Sequence, residues 1–452
     1  MLGDWAVPIG FAICGWTQSV LLSLQTWESV RFARRRVARG NEECLDEDAR
    51  LPTGPGAFGR EKVAVLVPCK GSCDDLRSNL QPLFEQSYAN YEIILLIESP
   101  ADGANEALLE LTETNRHLAP ARIVYTGRAV ESGQKVHNLL QATEVLDDGV
   151  AILAFVDSDA CPGHDWLRHL MLGLDQPDTG AITGYRWMIP LSDHPANLMV
   201  YSLNSALGGL MGPGGHYSVW GGSWAIRRQD FDSIGLREAW QGTLSDDLVA
   251  TRALKGAGLK VRFAPNCVSR SEIDNDWRAS FEFIRRQYLI ARRYAPRLWS
   301  LGLASHLAAQ GAIWGSLAWA LLGHQTAPRI FAAATAAALY GMAVLRGYWR
   351  QRLVASYAPE DADRLEAAIR IDIWLSPIIG LVNLGVLIGS AFSSQIQWRG
   401  IRYWISPGGR VLTLGRQIEV DDDTQPVILK FPSEEEKETT PSRESEKRRM
   451  AA

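Results

Sequence analysis

Between Lys62 and about Arg270 the chain repeats one pattern, a short apolar run followed by a stretch with helical spacing. VAVLVP (63–68), YEIILLIE (91–98), ARIVYTG (121–127), AILAFVD (151–157) and AITGYRW (181–187) have the length and composition of strands. SNLQPLFEQS, NEALLELTETNRH and KVHNLLQATEVL, lying between them, have the spacing of amphipathic helices. Strands that are apolar throughout and alternate with helices need both faces covered. The expected fold class is therefore α/β, with a mostly parallel sheet.

Four further apolar blocks lie outside this region. WAVPIGFAICGWTQSVLLSLQTW (5–27) is long enough to cross a bilayer and is followed by Arg31, Arg34, Arg35 and Arg36. A cleaved signal would carry its positive charge before the apolar core, and here Asp4 stands on that side. The expectation is an uncleaved anchor over 1–36, with Arg31 onward in the cytosol. A polar, Pro- and Gly-containing linker is expected over 37–61, and the α/β domain over 62–298. Membrane helices are expected over 299–395, from blocks at about 300–323, 329–346 and 371–393. The first and third are long enough to span, and the second is near the lower limit. Four full crossings would put the C-terminal segment 396–417 outside, yet it carries Arg399 and Arg402, so a re-entrant third block is the alternative. The charged stretch 418–452 reads as disordered. Sixteen Trp, many beside Arg or inside apolar runs, suit a membrane–water interface. A net charge of -5 gives no electrostatic case for nucleic acid. The six cysteines are scattered, and the closest pair, Cys69 and Cys73, has no histidine-rich partner that would indicate zinc.

AILAFVDSDACPGHDW (151–166) puts two carboxylates, Asp157 and Asp159, where a strand ends. Ligands of open parallel sheets bind beyond those ends. Two such carboxylates repel unless something positive lies between them, and a divalent cation with oxygen ligands meets that need. The rival reading is an Asp-Ser-Asp turn that caps the next helix. Asp102 follows another strand. Asp246 and Asp247 open a helix-like segment, where Asp247 also suits a cap. Gly221-Gly222 offers a turn that lets backbone approach a ligand. Lys135 and Asn138, at a helix start, are placed to reach a diphosphate or sugar, with a solvated helix face as their rival role.

In that order these residues resemble family 2 glycosyltransferases, and most closely their membrane-anchored, ceramide glucosyltransferase-like branch. Asp102 in YEIILLIESPADGA resembles the branch's first Asp, and Asp157 in FVDSDA its second. Asp159 completes the metal-binding DxD of the wider fold, and Asp246-Asp247 resemble the third motif. QKVHNL (134–139), VWGGSWAIRR (219–228) and WRGIRYWISPGG (398–409) also have counterparts there. The likeness covers about residues 5 to 412. Two departures stand out. EFIRRQYLIARRYAPRLW supplies Arg285, Arg286 and Gln287 with no Trp directly after, so the Q/RxxRW motif and long-chain synthesis are in doubt. Ser99 to Ala101 also lack the extra Asp expected beside Asp102.

The resemblance implies a GT-A type nucleotide-sugar-binding domain and inverting transfer of a hexose from a UDP-sugar, UDP-glucose first, to a lipid hydroxyl. A ceramide-like acceptor, a bacterial inner membrane and a cytosolic catalytic domain come with it. It implies Mn²⁺ or Mg²⁺ on Asp157 and Asp159, and donor contacts from Asp102, Lys135, Asn138, Asp157, Gly222, Asp246, Arg285 and Gln287. Asp247 is implied as the catalytic base and Arg286 as a second catalytic residue, on phosphate or lipid headgroup. FEFIRRQYLIARRYAPRLW and PANLMVYSLNSALGGLMG suit helices in the membrane plane, and they hold an acceptor near Asp247 on that reading. The alternatives are transfer to diacylglycerol or a hopanoid, a processive polysaccharide synthase, and a membrane-anchored sugar-nucleotide sensor. A transporter is not favoured, because no halves repeat and polar residues within several spans are not seen.

Overall fold

The computed structural model describes residues 2–45, 61–71, 75–176, 178–416 and 427–430. The strands are β1 (Lys62–Pro68), β2 (Tyr91–Ile97), β3 (Ala121–Tyr125), β4 (Val150–Val156), β5 (Thr179–Pro190), β6 (Ser223–Arg227) and β7 (Lys260–Ile273). After them come a ribbon of β8 (Gln395–Trp398), β9 (Ile401–Ile405) and β10 (Val411–Arg416), and a last strand β11 (Val427–Lys430). The main sheet has the order β11-β3-β2-β1-β4-β6-β5-β7. β1, β2, β3 and β4 run parallel, as do β5 and β7. β6 and β11 run against their neighbours. The sheet is therefore α/β and mostly parallel, as the apolar runs require.

Alternation along each strand divides the core between the two faces. Ala64 and Leu66 join Phe155 and Trp224 on one face, whereas Val63, Val65 and Val67 join Ala154 and Ala225 on the other. Phe155 stacks on Trp224 with ring centroids 4.0 Å apart. The sheet helices are α2 (Leu76–Leu80), α3 (Asn105–Thr114), α4 (Gln134–Glu144), α5 (Trp166–Leu174), α6 (Pro195–Gly208), α7 (Arg228–Ser233), α8 (Leu236–Trp240) and α9 (Asp246–Gly256).

Outside the sheet, α1 (Leu2–Leu45) is one helix of 44 residues. It carries the anchor without a break into the expected linker, so residues 37–45 are helical. Residues 46–60 lie outside the described residues. An amphipathic helix α10 (Trp277–Tyr294) leads into α11 (Pro296–Leu322), α12 (Thr326–Gln351), α13 (Val354–Tyr357), α14 (Glu366–Trp374) and α15 (Ser376–Gly389). Among the described residues α1 and the segment containing α12 are long and apolar enough to cross a membrane. The Ala-rich second block lies in the second of these, while the first block, in α11, is less apolar, with His306 and Gln310 inside it. The third block is broken, with α14 and α15 bent by 82°.

The ribbon after the apolar helices docks on the sheet domain. The Val411 N–H donates to the Gly242 carbonyl at 2.9 Å, and the Tyr294 hydroxyl donates to the Gly409 carbonyl at 2.5 Å. The expected disordered tail is largely outside the described residues. Its one described segment, Val427–Lys430, adds as an edge strand to β3, so tail backbone pairs there despite the charge around it.

Candidate active site

β1 connects toward β2 and β3 on one side, and β4 lies on its other side, so the strand order reverses between β1 and β4. A crevice opens beyond such a switch point. A cavity of about 360 Å³ sits there, lined by Lys70 after β1 and by Asp157 and Asp159 after β4. Its opposite wall is apolar, from Met188, Leu203 and Leu207 near α6 and from Phe283, Ile284 and Tyr288 of α10. The charged side chains come from strand ends and from the starts of α4 and α9; the apolar ones come from β5, α6 and α10.

The charged wall is closely paired. Lys135 Nζ lies 2.7 Å from Asp157 and 3.0 Å from Asp246. Burial works against the Lys135 charge, but Asp157, Asp246 and Asp247 outweigh it and hold the ammonium well above the usual lysine range. Arg186 reaches Asp159 at 2.9 Å and Asp157 at 3.8 Å, and its guanidinium lies 5.3 Å from the Trp220 ring centre. Burial opposes the Asp159 charge, yet Arg186 and Arg399 keep its carboxyl below the ordinary range. Asp246 is 3% exposed, and its Oδ2 has no hydrogen-bond partner. Burial pushes its carboxyl up to about 7 against the pull of Lys135, with Asp247 and Asp157 adding to the push.

Ser245 caps α9, and its hydroxyl lies 2.5 Å from Asp247 Oδ1. The Leu248 N–H donates to the same oxygen at 2.7 Å. Asp247 Oδ2 receives only the long Gly221 N–H, at 3.4 Å, and so keeps acceptor capacity toward the cavity. The Asp247 side chain thus combines the cap role with an oxygen open to a ligand. Gly221 and Gly222 fit because a side chain would not. A Cβ on Gly222 would lie 2.3 Å from Trp220 and 2.9 Å from Asp157 Oδ2, and one on Gly221 would lie 2.7 Å from Lys135 Nζ.

The structure brings Lys135, Asp157, Asp159, Asp246, Asp247, Arg286 and Gln287 to one cavity. Gly222 stands behind Asp157. Arg286 is pulled down to about 10 by burial and by Arg186, and it remains the charged form at neutral pH. Three expected residues are placed differently. Arg285 is exposed and does not line the cavity, since one helical step turns it about 100° from Arg286. Asn138 lines it but is 1% exposed, accepting from Thr126 and Gln134 and donating to the Leu96 carbonyl. Its amide is occupied with joining α4 to the sheet. Asp102 accepts from the Gly71 N–H at 2.7 Å and the Ala104 N–H at 3.1 Å and lies 3.4 Å from Lys70. It is not a lining residue; it fixes the loop that presents Lys70.

Sequence reasoning missed Lys70, Arg186, Trp220, Trp398 and Arg399, all on the cavity wall. Arg399 and Gly400 form the two-residue turn between β8 and β9, both with positive φ (47° and 77°), the geometry of a tight hairpin. The Arg-Gly pair between two aromatic-rich runs was the available signal for that turn.

Asp157 and Asp159 already share one positive group, Arg186, so their spacing fits a shared cation, and carboxylate oxygens suit Mn²⁺ or Mg²⁺. Among the described residues no three His, Cys, Asp or Glu side chains are grouped to hold a metal ion. A cation there would thus take its remaining ligands from a bound molecule or water.

Residues 36–411 match the family described as Glycosyl transferase family 21. The motifs resemble family 2, whereas the family matched is 21, with which a ceramide glucosyltransferase-like branch is compatible. A solved structure, "Mannosyltransferase PcManGT from Pyrobaculum calidifontis in complex with GDP-Man and Mn2+", is similar at 16% identity and a TM-score of 0.44. It covers 86% of this chain and 97% of that one.

Proposed function

We propose, from the premise that this chain belongs to glycosyl transferase family 21, that it moves a hexose from a UDP-sugar, UDP-glucose first, to the hydroxyl of a membrane lipid. A ceramide-like sphingolipid is the acceptor on this reading, and the product is a glycolipid. The observation that carries it is the two-sided cavity, with carboxylates and cations on one wall and the apolar side chains of α6 and α10 on the other. A water-soluble charged donor and an amphipathic acceptor need those two surfaces at one point.

In the proposed reaction Asp247 Oδ2 accepts the proton of the acceptor hydroxyl as its oxygen attacks the anomeric carbon from the face opposite the leaving diphosphate. Asp247 Oδ1, held by Ser245 and Leu248, keeps the carboxylate aimed. Lys70, Lys135, Arg186 and Arg399 stand where a diphosphate leaving group gains negative charge, and Arg286 adds a fork-shaped donor. Asp102 acts through Lys70. Asp157 and Asp159 would hold Mn²⁺ or Mg²⁺, whose chemistry when bound is neutralisation of the diphosphate. The proposed location is a bacterial inner membrane with the catalytic domain in the cytosol.

The test is transfer of labelled sugar into the organic-extractable fraction of membranes carrying the protein. Donors would be UDP-glucose, UDP-galactose, UDP-N-acetylglucosamine and UDP-glucuronate; acceptors would be ceramide, diacylglycerol and a hopanoid. Asp247→Asn should lower transfer by about 100-fold or more while UDP-sugar binding persists. Unchanged transfer in that variant would remove Asp247 as base. UDP-sugar binding without transfer to any acceptor would favour a sensor.

A further inference from the structure

A second cavity, of about 240 Å³, lies among α1, α6, α11, α12 and α15. Gln18 of α1, His306 and Gln310 of α11, Arg346 of α12 and Ser376 of α15 face it. Small residues such as Gly15, Ala309, Ala343 and Gly380 make room between the helices.

Its charge is unbalanced. The lining contains two arginines, Arg346 and Arg350, and no Asp or Glu. Arg350 is fully engaged, since its guanidinium donates to both oxygens of Asp372 at 3.0 and 2.6 Å. Asp372 also accepts from the Ser202 hydroxyl at 2.5 Å and from the Gln351 amide, which leaves it nothing to offer a second cation. Arg346 Nη1 is buried and has no hydrogen-bond partner. A guanidinium does not lose its proton, so the charge stays. It stays beside the two segments long and apolar enough to cross a membrane, where an unaccompanied cation is costly. Water or a hydroxyl would satisfy the N–H group but not the charge; only an anion does both.

The anion's kind follows from place. Among membrane helices the phosphates at hand belong to lipids. We propose that this cavity binds the phosphate headgroup of an anionic membrane phospholipid, with Arg346 as its counter-charge. The cavity shares Leu203, Leu207 and Tyr288 with the active-site pocket. The Tyr288 hydroxyl donates to Asn383 at 2.7 Å, and Asn383 lies 2.9 Å from His306 Nε2, so one hydrogen-bonded wall separates the two spaces.

The test reads lipid retention, which does not depend on sugar transfer. Full-length protein, stripped of lipid in detergent, is given phosphatidylglycerol, phosphatidylcholine or inorganic phosphate, and bound lipid is counted by native mass spectrometry. One phosphatidylglycerol should be kept over phosphatidylcholine by about ten-fold or more, because the choline cation offsets the phosphate charge and is repelled by Arg346. Arg346→Gln should lose that preference, while Arg346→Lys and Arg329→Gln, the latter altering a different arginine of α12 that bonds the Ala320 carbonyl, should keep it. Equal retention of the two lipids by the parent protein would overturn the proposal, and this comparison holds even if Arg346→Gln fails to fold. Displacement of phosphatidylglycerol by an equal concentration of inorganic phosphate would also overturn it, since the site would then take the free anion. An unchanged preference in a folded Arg346→Gln would do the same.

Discussion

Asp246 lies beneath the active-site pocket and Asp372 lies between α6, α12 and α14. They are 3% and 0% exposed, and each faces a cation from another element. Both oxygens of Asp372 are used, by Arg350, Ser202 and Gln351, and Tyr201 extends the network through Gln351 at 2.5 Å. Asp246 gives one oxygen to Lys135 and keeps Oδ2 without a partner, with Asp157 and Asp247 as like-charged neighbours. A saturated buried carboxylate fixes a junction, here between α6 of the sheet domain and the apolar helices α12 and α14. An unsaturated one surrounded by like charge is tolerated where a ligand completes it, and its cost is carried by the fold until then.

The largest effect expected from this contrast is on stability. Asp372→Asn leaves Arg350 buried with a neutral partner and should destabilise the protein by about 3–5 kcal/mol. Replacing both members of the pair with apolar residues of similar volume should recover most of that loss. Asp246→Asn should not destabilise the protein at neutral pH, because Lys135 keeps Asp157 and a like-charge repulsion disappears. Thermal unfolding of all variants in one detergent measures the difference. Equal losses for the two Asn variants would show that saturation does not distinguish the sites.

Next in size is an effect on turnover without one on folding. Gly222→Ala puts a methyl against Trp220 and Asp157 Oδ2. Trp220 and Asp157 must shift, and a displacement near 1 Å at a reacting centre costs about 100-fold in rate. Gly163→Ala, where a Cβ meets nothing within 4 Å, should leave transfer unchanged. Parallel transfer assays and melting curves check both. A fully active Gly222→Ala would mean that the Asp157 position tolerates movement.

These residues also show how far the sequence could be read. Asp157 and Asp159 announced themselves because an apolar run ends at them, and a parallel sheet makes a strand's end the ligand side. Gly221-Gly222 and Asp246-Asp247 were legible as a turn and a helix start. Arg186 was not, since it looks like an ordinary strand residue in AITGYRW, and its partner Asp159 comes from a strand end that only the β4-β6-β5 order brings near. Trp398 and Arg399 come from beyond all the C-terminal apolar helices, and the ribbon's docking on the sheet domain is a tertiary fact with no local signature. Arg285 stands next to Arg286 in the motif as a string, whereas the helix presents Arg286 and Gln287 to the cavity and turns Arg285 away. The second cavity was invisible for the same reason. Its polar residues are single positions on five helices, each unremarkable in its own segment.

The pH dependence of stability tests the unsaturated carboxylate directly. Asp246 is raised from its ordinary 3.8 to about 7 in the folded protein. Between those values the folded state binds more protons than the unfolded state, so this group's contribution to stability falls as pH rises from about 3.8 to about 7 and is level on either side. Denaturant unfolding of the parent and of Asp246→Asn, both in EDTA, isolates it as the difference between two pH curves. The parent should lose stability relative to the variant across that window. A difference independent of pH would mean that Lys135 already holds Asp246 ionised in the folded state, and the contrast with Asp372 would then rest on hydrogen bonds alone.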